Sequence, residues 1–172
     1  MSTKKLICLI VFLGIFAVGC DTKESVTNSG GGPSEREKYI LTTEPVDPQT
    51  PTEIKESVTE PTLVAITGRI DAGDVEPFQE GVASFLISQL PDGGHAEGDP
   101  DHADNCPFCK RKLKNAPKAV VRILDDSGEV MTVDARQLLG IAKGDVVVVR
   151  GSATYLEPVN TVQIDAEGIF VR

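Results

Sequence analysis

Residues 161–166 alternate with a strict period of two. Val162, Ile164 and Ala166 share one face, and Thr161, Gln163 and Asp165 the other. That pattern predicts a β-strand with one face in a core and the other toward water. The phase then slips at Glu167-Gly168, so that Ile169 and Val171 continue the apolar face. One extra residue beside a glycine predicts a β-bulge. Strand-like, β-branched runs also occupy residues 63–70, 81–90 and 146–151, and residues 119–124 and 130–133 read as a strand and its hairpin partner around the turn Asp125-Asp126-Ser127-Gly128. Residues 135–140 read as a short helix, with Asp134 as its N-cap and Gly140 as its stop.

The predicted order is strand, strand, long insertion, strand hairpin, short helix, strand, strand. It resembles the OB-fold, a five-stranded barrel with one helix between its third and fourth strands. The resemblance rests on Gly68, the helix at 135–140, Lys-Gly-Asp-Val-Val-Val-Val-Arg-Gly at 143–151 and Val-Gln-Ile-Asp-Ala-Glu-Gly-Ile-Phe-Val-Arg at 162–172. It covers about residues 63–172 without the insertion. It implies a mainly β, small OB-fold-like domain over 62–172, interrupted by a metal-binding-type loop at 91–118. An OB barrel that binds nucleic acid needs several aromatics on one basic face. Phe85, Tyr155 and Phe170 are the domain's aromatics outside the loops, and each is expected in the core. The chain carries −9 at pH 7, so phosphate backbones repel it and nucleic acid is disfavoured as a partner. A protein or glycan on the barrel face remains open.

The N-terminus constrains location. Lys4 and Lys5 precede an apolar run broken only by Gly14, and Ala17-Val18-Gly19-Cys20 follows. Residues 6–18 are shorter than the about 20 a membrane-spanning helix needs and fit an export signal. The stretch resembles the lipobox of bacterial lipoproteins, with Ala17 where Leu is usual. That resemblance implies a signal peptide over 1–19, lipidation of Cys20, and an extracytoplasmic domain anchored in the bacterial cell envelope, on the periplasmic face. A secreted protein cut nearby and a single-pass anchor are the alternatives. Residues 21–61 are rich in Thr, Ser, Pro, Glu and Gly and read as a disordered tether with no core to contribute. Such a spacer of about 40 residues would reach roughly 35 Å.

The chemistry concentrates in the insertion. Both histidines of the chain, His95 and His102, lie there, as do Cys106 and Cys109, the two cysteines left after Cys8 and Cys20. The spacing is His-x6-His-x3-Cys-x2-Cys. Two residues between thiolates let one turn present both sulfurs to one ion, and two imidazoles complete a tetrahedron. Two thiolates cancel the charge of Zn²⁺, and the metal would supply the folding energy that a Gly- and Asp-rich loop lacks. Asp99, Asp101 and Asp104 are candidate acceptors for the histidine N–H groups. Four ligands leave no open position for a hydrolytic zinc enzyme, so the domain reads as non-enzymatic.

Copper suits the same ligands. A dithiol or disulfide suits an oxidising compartment. Cys-Pro-Phe-Cys-Lys approaches a c-type haem attachment, with Lys110 in place of His. Cys-Pro-Phe-Cys also resembles thioredoxin-type redox centres. Those need the first Cys at a helix N-terminus in a βαβ setting, whereas the surrounding pattern here is antiparallel β. Lys110, Arg111, Lys112 and Lys114 read as a solvated helical turn after the second cysteine.

Overall fold

The computed structural model describes residues 33–91 and 106–172. The protein is mainly β. Its five strands are β1 (Thr62–Ile70), β2 (Ser84–Ser88), β3 (Lys118–Arg122), β4 (Val146–Leu156) and β5 (Thr161–Val171). They ring round in the order β1-β2-β3-β5-β4, with β4 back on β1. Every pairing is antiparallel except β3 with β5, where Lys118 faces Thr161 and Arg122 faces Asp165. Inward residues of all five strands, among them Ile66, Ile70, Phe85, Ile87, Val121, Val147, Val149, Ile164 and Ile169, form one core.

The sequence-read bulge is present. Arg150 pairs Gly168 while Gly151 pairs Ala166, which leaves Glu167 as the extra residue on β5. Gly151 is required opposite it, since a Cβ there would lie 2.1 Å from the carbonyl oxygen of Asp165. The short helix is also present. Asp134 caps Ala135–Leu139, and Gly140 ends it in the left-handed conformation at φ 68°. Leu138 and Leu139 are fully buried.

Two expectations change. Residues 130–133 form no strand: Leu124 and Val130 make an isolated bridge. Met131 does a strand's work with single bonds, donating its N–H to Ile123 O and accepting from Ala83 N at its own carbonyl. Phe170 is half-buried and lies outside the core, because the bulge puts Ile169 and Val171 on the inner face and leaves Phe170 on the outer one.

The larger change concerns residues expected to be spacer. Helix α1 (Pro33–Tyr39) and helix α2 (Pro51–Ser57) pack on the strands, and Tyr39, Ile54 and Val58 belong to the core. The Tyr39 hydroxyl donates to Leu124 O at 3.3 Å. Leu41 N donates to Ile169 O, which attaches the chain to β5. The Leu41 side chain fills the space a Cβ would take at Gly168. Glu44 pairs with Arg172 at the end of β5.

The chain next reaches β1. Gln49 N donates to Ala65 O, and Gln49 O accepts from Thr67 N. Between these attachments the chain must pass from β5 to β1, with β4 between them. In register, Phe170, Val148 and Thr67 form a row across β5, β4 and β1. This row faces away from the core, yet Val148 is fully buried and Thr67 nearly so, as a row crossed by the belt would be. Residues 39–58 are therefore a belt, not a spacer. A capping box closes the start of α2, with Thr50 and Glu53 satisfying each other's backbone N–H, and Ile54 then plugs the core.

The belt is thus expected to unfold with the sheet. Ile54→Ala in the full chain should cost about 2–5 kcal/mol, the usual range for truncating a fully buried aliphatic side chain. Urea unfolding followed by circular dichroism measures this. A loss below about 1 kcal/mol, outside that range, would show that the belt is not part of the cooperative unit.

Candidate functional site

The insertion leaves the sheet from β2 and returns at β3. Its two roots are tied together. Lys118, the first residue of β3, donates from Nζ to Ser88 Oγ at 2.9 Å, and Ser88 Oγ donates to Asp71 O at 2.7 Å. The next residue, Gln89, is buried. Its Oε1 accepts from Thr52 Oγ1 at 2.5 Å and from Thr52 N at 3.3 Å, so the belt helix α2 holds the outgoing root.

On the returning side, Cys106 immediately precedes helix α3 (Pro107–Asn115). The local sequence explains the helix. Pro107 at the first helical position has no N–H to leave unsatisfied. Phe108 to Asn115 contains no glycine or proline, and Ala116-Pro117 ends the helix. Both cysteines therefore lie on one helical turn rather than in a loop, and the basic run continues the same helix. Arg111 and Lys114 are exposed, and Phe108 is exposed at 83%.

Cys106 occupies the N-cap place, where the open amides of the first turn converge. Its sulfur accepts from the backbone N–H of Cys109, then from the Cys109 thiol, and from the N–H of Phe108; together these hold the Cys106 thiol below the ordinary cysteine range against a small opposing effect of burial. No acidic residue occupies the first turn, and the positive end of the helix favours the thiolate form of the sulfur at its cap. Both cysteines are half-buried.

The first cysteine at a helix N-terminus is the feature that the surrounding antiparallel pattern argued against. The strand pattern reports on the sheet and not on the insertion, which carries its own helix. Cys20, His95, Asp99, Asp101, His102 and Asp104 lie outside the described residues. Among the described residues no three His, Cys, Asp or Glu side chains converge as a metal-holding group, and no helix is long and apolar enough to cross a bilayer.

A concavity of about 330 Å³ elsewhere on the domain is lined by Glu80, Gly81, Thr132, Val133, Asp134, Arg136 and Gln137. Its central charges are engaged with each other. Arg136 grips the Asp134 carboxylate from Nε at 2.9 Å and Nη2 at 2.6 Å, which keeps that carboxyl below its ordinary range. The same carboxylate caps the short helix by accepting from Arg136 N, and the guanidinium lies over the Phe78 ring. These groups hold the fold together.

Compared with protein-family models, with curated proteins and with solved structures, the chain matches none.

The helix-held sulfur gives a direct expectation. Alkylation of Cys106 should follow a pH profile with its midpoint below that of an ordinary cysteine. Cys109→Ala removes the thiol donor but keeps the amide, so the midpoint should move partly back up. Mass-spectrometric rates from pH 5 to 10 would show it, and a profile like that of a free thiol would mean that the helix amides do not reach the sulfur.

Proposed function

We propose that this chain is a membrane-tethered, extracytoplasmic module of OB type that binds a soft divalent metal, zinc first, and works without catalysing a reaction. The strand order β1-β2-β3-β5-β4, with β3 parallel to β5 and a capped helix between β3 and β4, supports the OB reading. The lipobox-like sequence ending at Cys20 supports the anchor.

One observation carries the metal reading. Cys106 and Cys109 share a helical turn, and hydrogen bonds from that turn favour the thiolate at Cys106, the form a metal requires. His95 and His102 would complete a tetrahedron of two sulfurs and two nitrogens, with Asp99, Asp101 and Asp104 as acceptors behind the imidazoles. Such a closed site shapes a surface and leaves no position for substrate. The exposed Phe108 and the basic face of α3 would then be presented to a protein partner.

The second reading is a redox dithiol. It is favoured by the same stabilised sulfur, since a thiolate at a helix N-terminus is the attacking form in disulfide exchange. Copper and a c-type haem are the further outcomes that an absorption spectrum separates.

Metal analysis of the purified protein decides between them. Zinc near one ion per chain is expected for a single tetrahedral site, without a visible band, and it should be lost in Cys106→Ser and His102→Ala. Metal-free protein without titratable thiols would replace the metal reading by the disulfide one. The anchor is tested separately: Cys20→Ala should abolish fatty-acid labelling and move the protein from the membrane fraction to the soluble one. Continued labelling would remove the lipoprotein reading.

A further inference from the structure

Helix α2 of the belt and helix α3 of the insertion are attached to the same two-residue stem. Ser88 takes the returning root through Lys118, and Gln89 takes the belt through Thr52. Helix α3 is joined closely to this stem: only Ala116 and the buried Pro117 separate Asn115 from Lys118. Gln89 is 8% exposed, so with the belt in place its amide oxygen relies on Thr52 and has little access to water. Losing that bond strands a buried acceptor and also frees the belt N–H that it satisfied.

We infer that Gln89 and Thr52 form a latch that couples the belt to the thiol site, so that fixing α3 tightens the belt and loosening the belt loosens α3. Gln89 is a positioning residue. It lies 17 residues before Cys106 in the chain and acts through the stem. The coupling is reciprocal by thermodynamic necessity. Where zinc at the cysteines fixes α3 it rests on the metal reading above; in the metal-free protein it rests on the hydrogen bonds alone.

The test uses hydrogen exchange on the full chain. Without metal, Gln89→Leu and Thr52→Val should each speed exchange at the amides of residues 108–115 by about 3- to 10-fold, the range one lost hydrogen bond supports. Thr52→Ser keeps the hydroxyl donor and should restore the wild-type rates, which a merely bulk-sensitive packing role would not predict. If α3 exchanges at the wild-type rate in both disrupting variants while α2 loosens, Gln89 ties only the belt and the coupling is wrong.

The second arm adds zinc to the wild type. Exchange should slow at Ile54 N and Val58 N, whose bonds to Thr50 O and Ile54 O define α2, and Thr52→Val should lose that protection. Zinc that binds without slowing these amides overturns the coupling. Zinc that fails to bind overturns the metal reading instead, and the metal-free arm then decides the latch.

Discussion

The ring of strands has one narrow seam. β1 and β2 share only two register pairs, Arg69 with Ser88 and Ile70 with Ile87. On its other side β1 pairs β4 from Thr62 to Arg69. Most of β1 would therefore present unpaired N–H and C=O groups toward the seam, an exposed edge of the kind folded proteins cover. Gln49 covers it with a donor and an acceptor at the middle of that edge. The seam is also tight where it closes, since a Cβ on Gly68 would lie 2.8 Å from Ser88 O. A closed sheet of this register thus depends on a segment that contributes no strand of its own.

That dependence explains which parts of the structure the sequence displays. A strand repeats its apolar residue every second position, so β4 and β5 are visible, and even the extra residue at Glu167 can be read from the broken phase. The short helix is visible because Asp134 and Gly140 each satisfy a specific end. A belt has no such repeat. It is anchored by single side chains at irregular intervals, Tyr39, Leu41, Ile54 and Val58, set among prolines, threonines and acids. Averaged composition dilutes them, and only tertiary contacts distinguish them from spacer. Residues 130–133 differ for another reason: the Met131 backbone makes single bonds to Ile123 and Ala83, just outside β3 and β2, so a strand-like composition yields no ladder there.

The candidate site was legible in part. The Cys-x-x-Cys pair stands out by spacing alone, and the structure puts both sulfurs on one turn. What the spacing did not reveal is the helix that starts between them. Its first turn is Pro107-Phe108-Cys109, and its cap is a sulfur rather than one of the oxygens usually sought at that place. Four cations follow in sequence, Lys110, Arg111, Lys112 and Lys114, and Lys114 falls in the last turn, where positive charge is favourable. In a chain of net charge −9 they make α3 a locally basic element.

The belt also gives the molecule a direction. Its first attachment is at Ile169, near the end of β5, whereas the returning root of the insertion lies beside Thr161, at the beginning of the same strand. These points are roughly 25 Å apart at about 3.3 Å per residue. In a chain anchored at Cys20, only residues 21–32 separate the lipid from α1, and twelve residues span at most about 40 Å in any conformation. If the proposed anchor holds, α1 and the end of β5 to which the following residues attach would stay within that reach of the bilayer. The insertion returns at the other end of that strand, so the belt and the thiol-bearing segment join the sheet at opposite ends of β5.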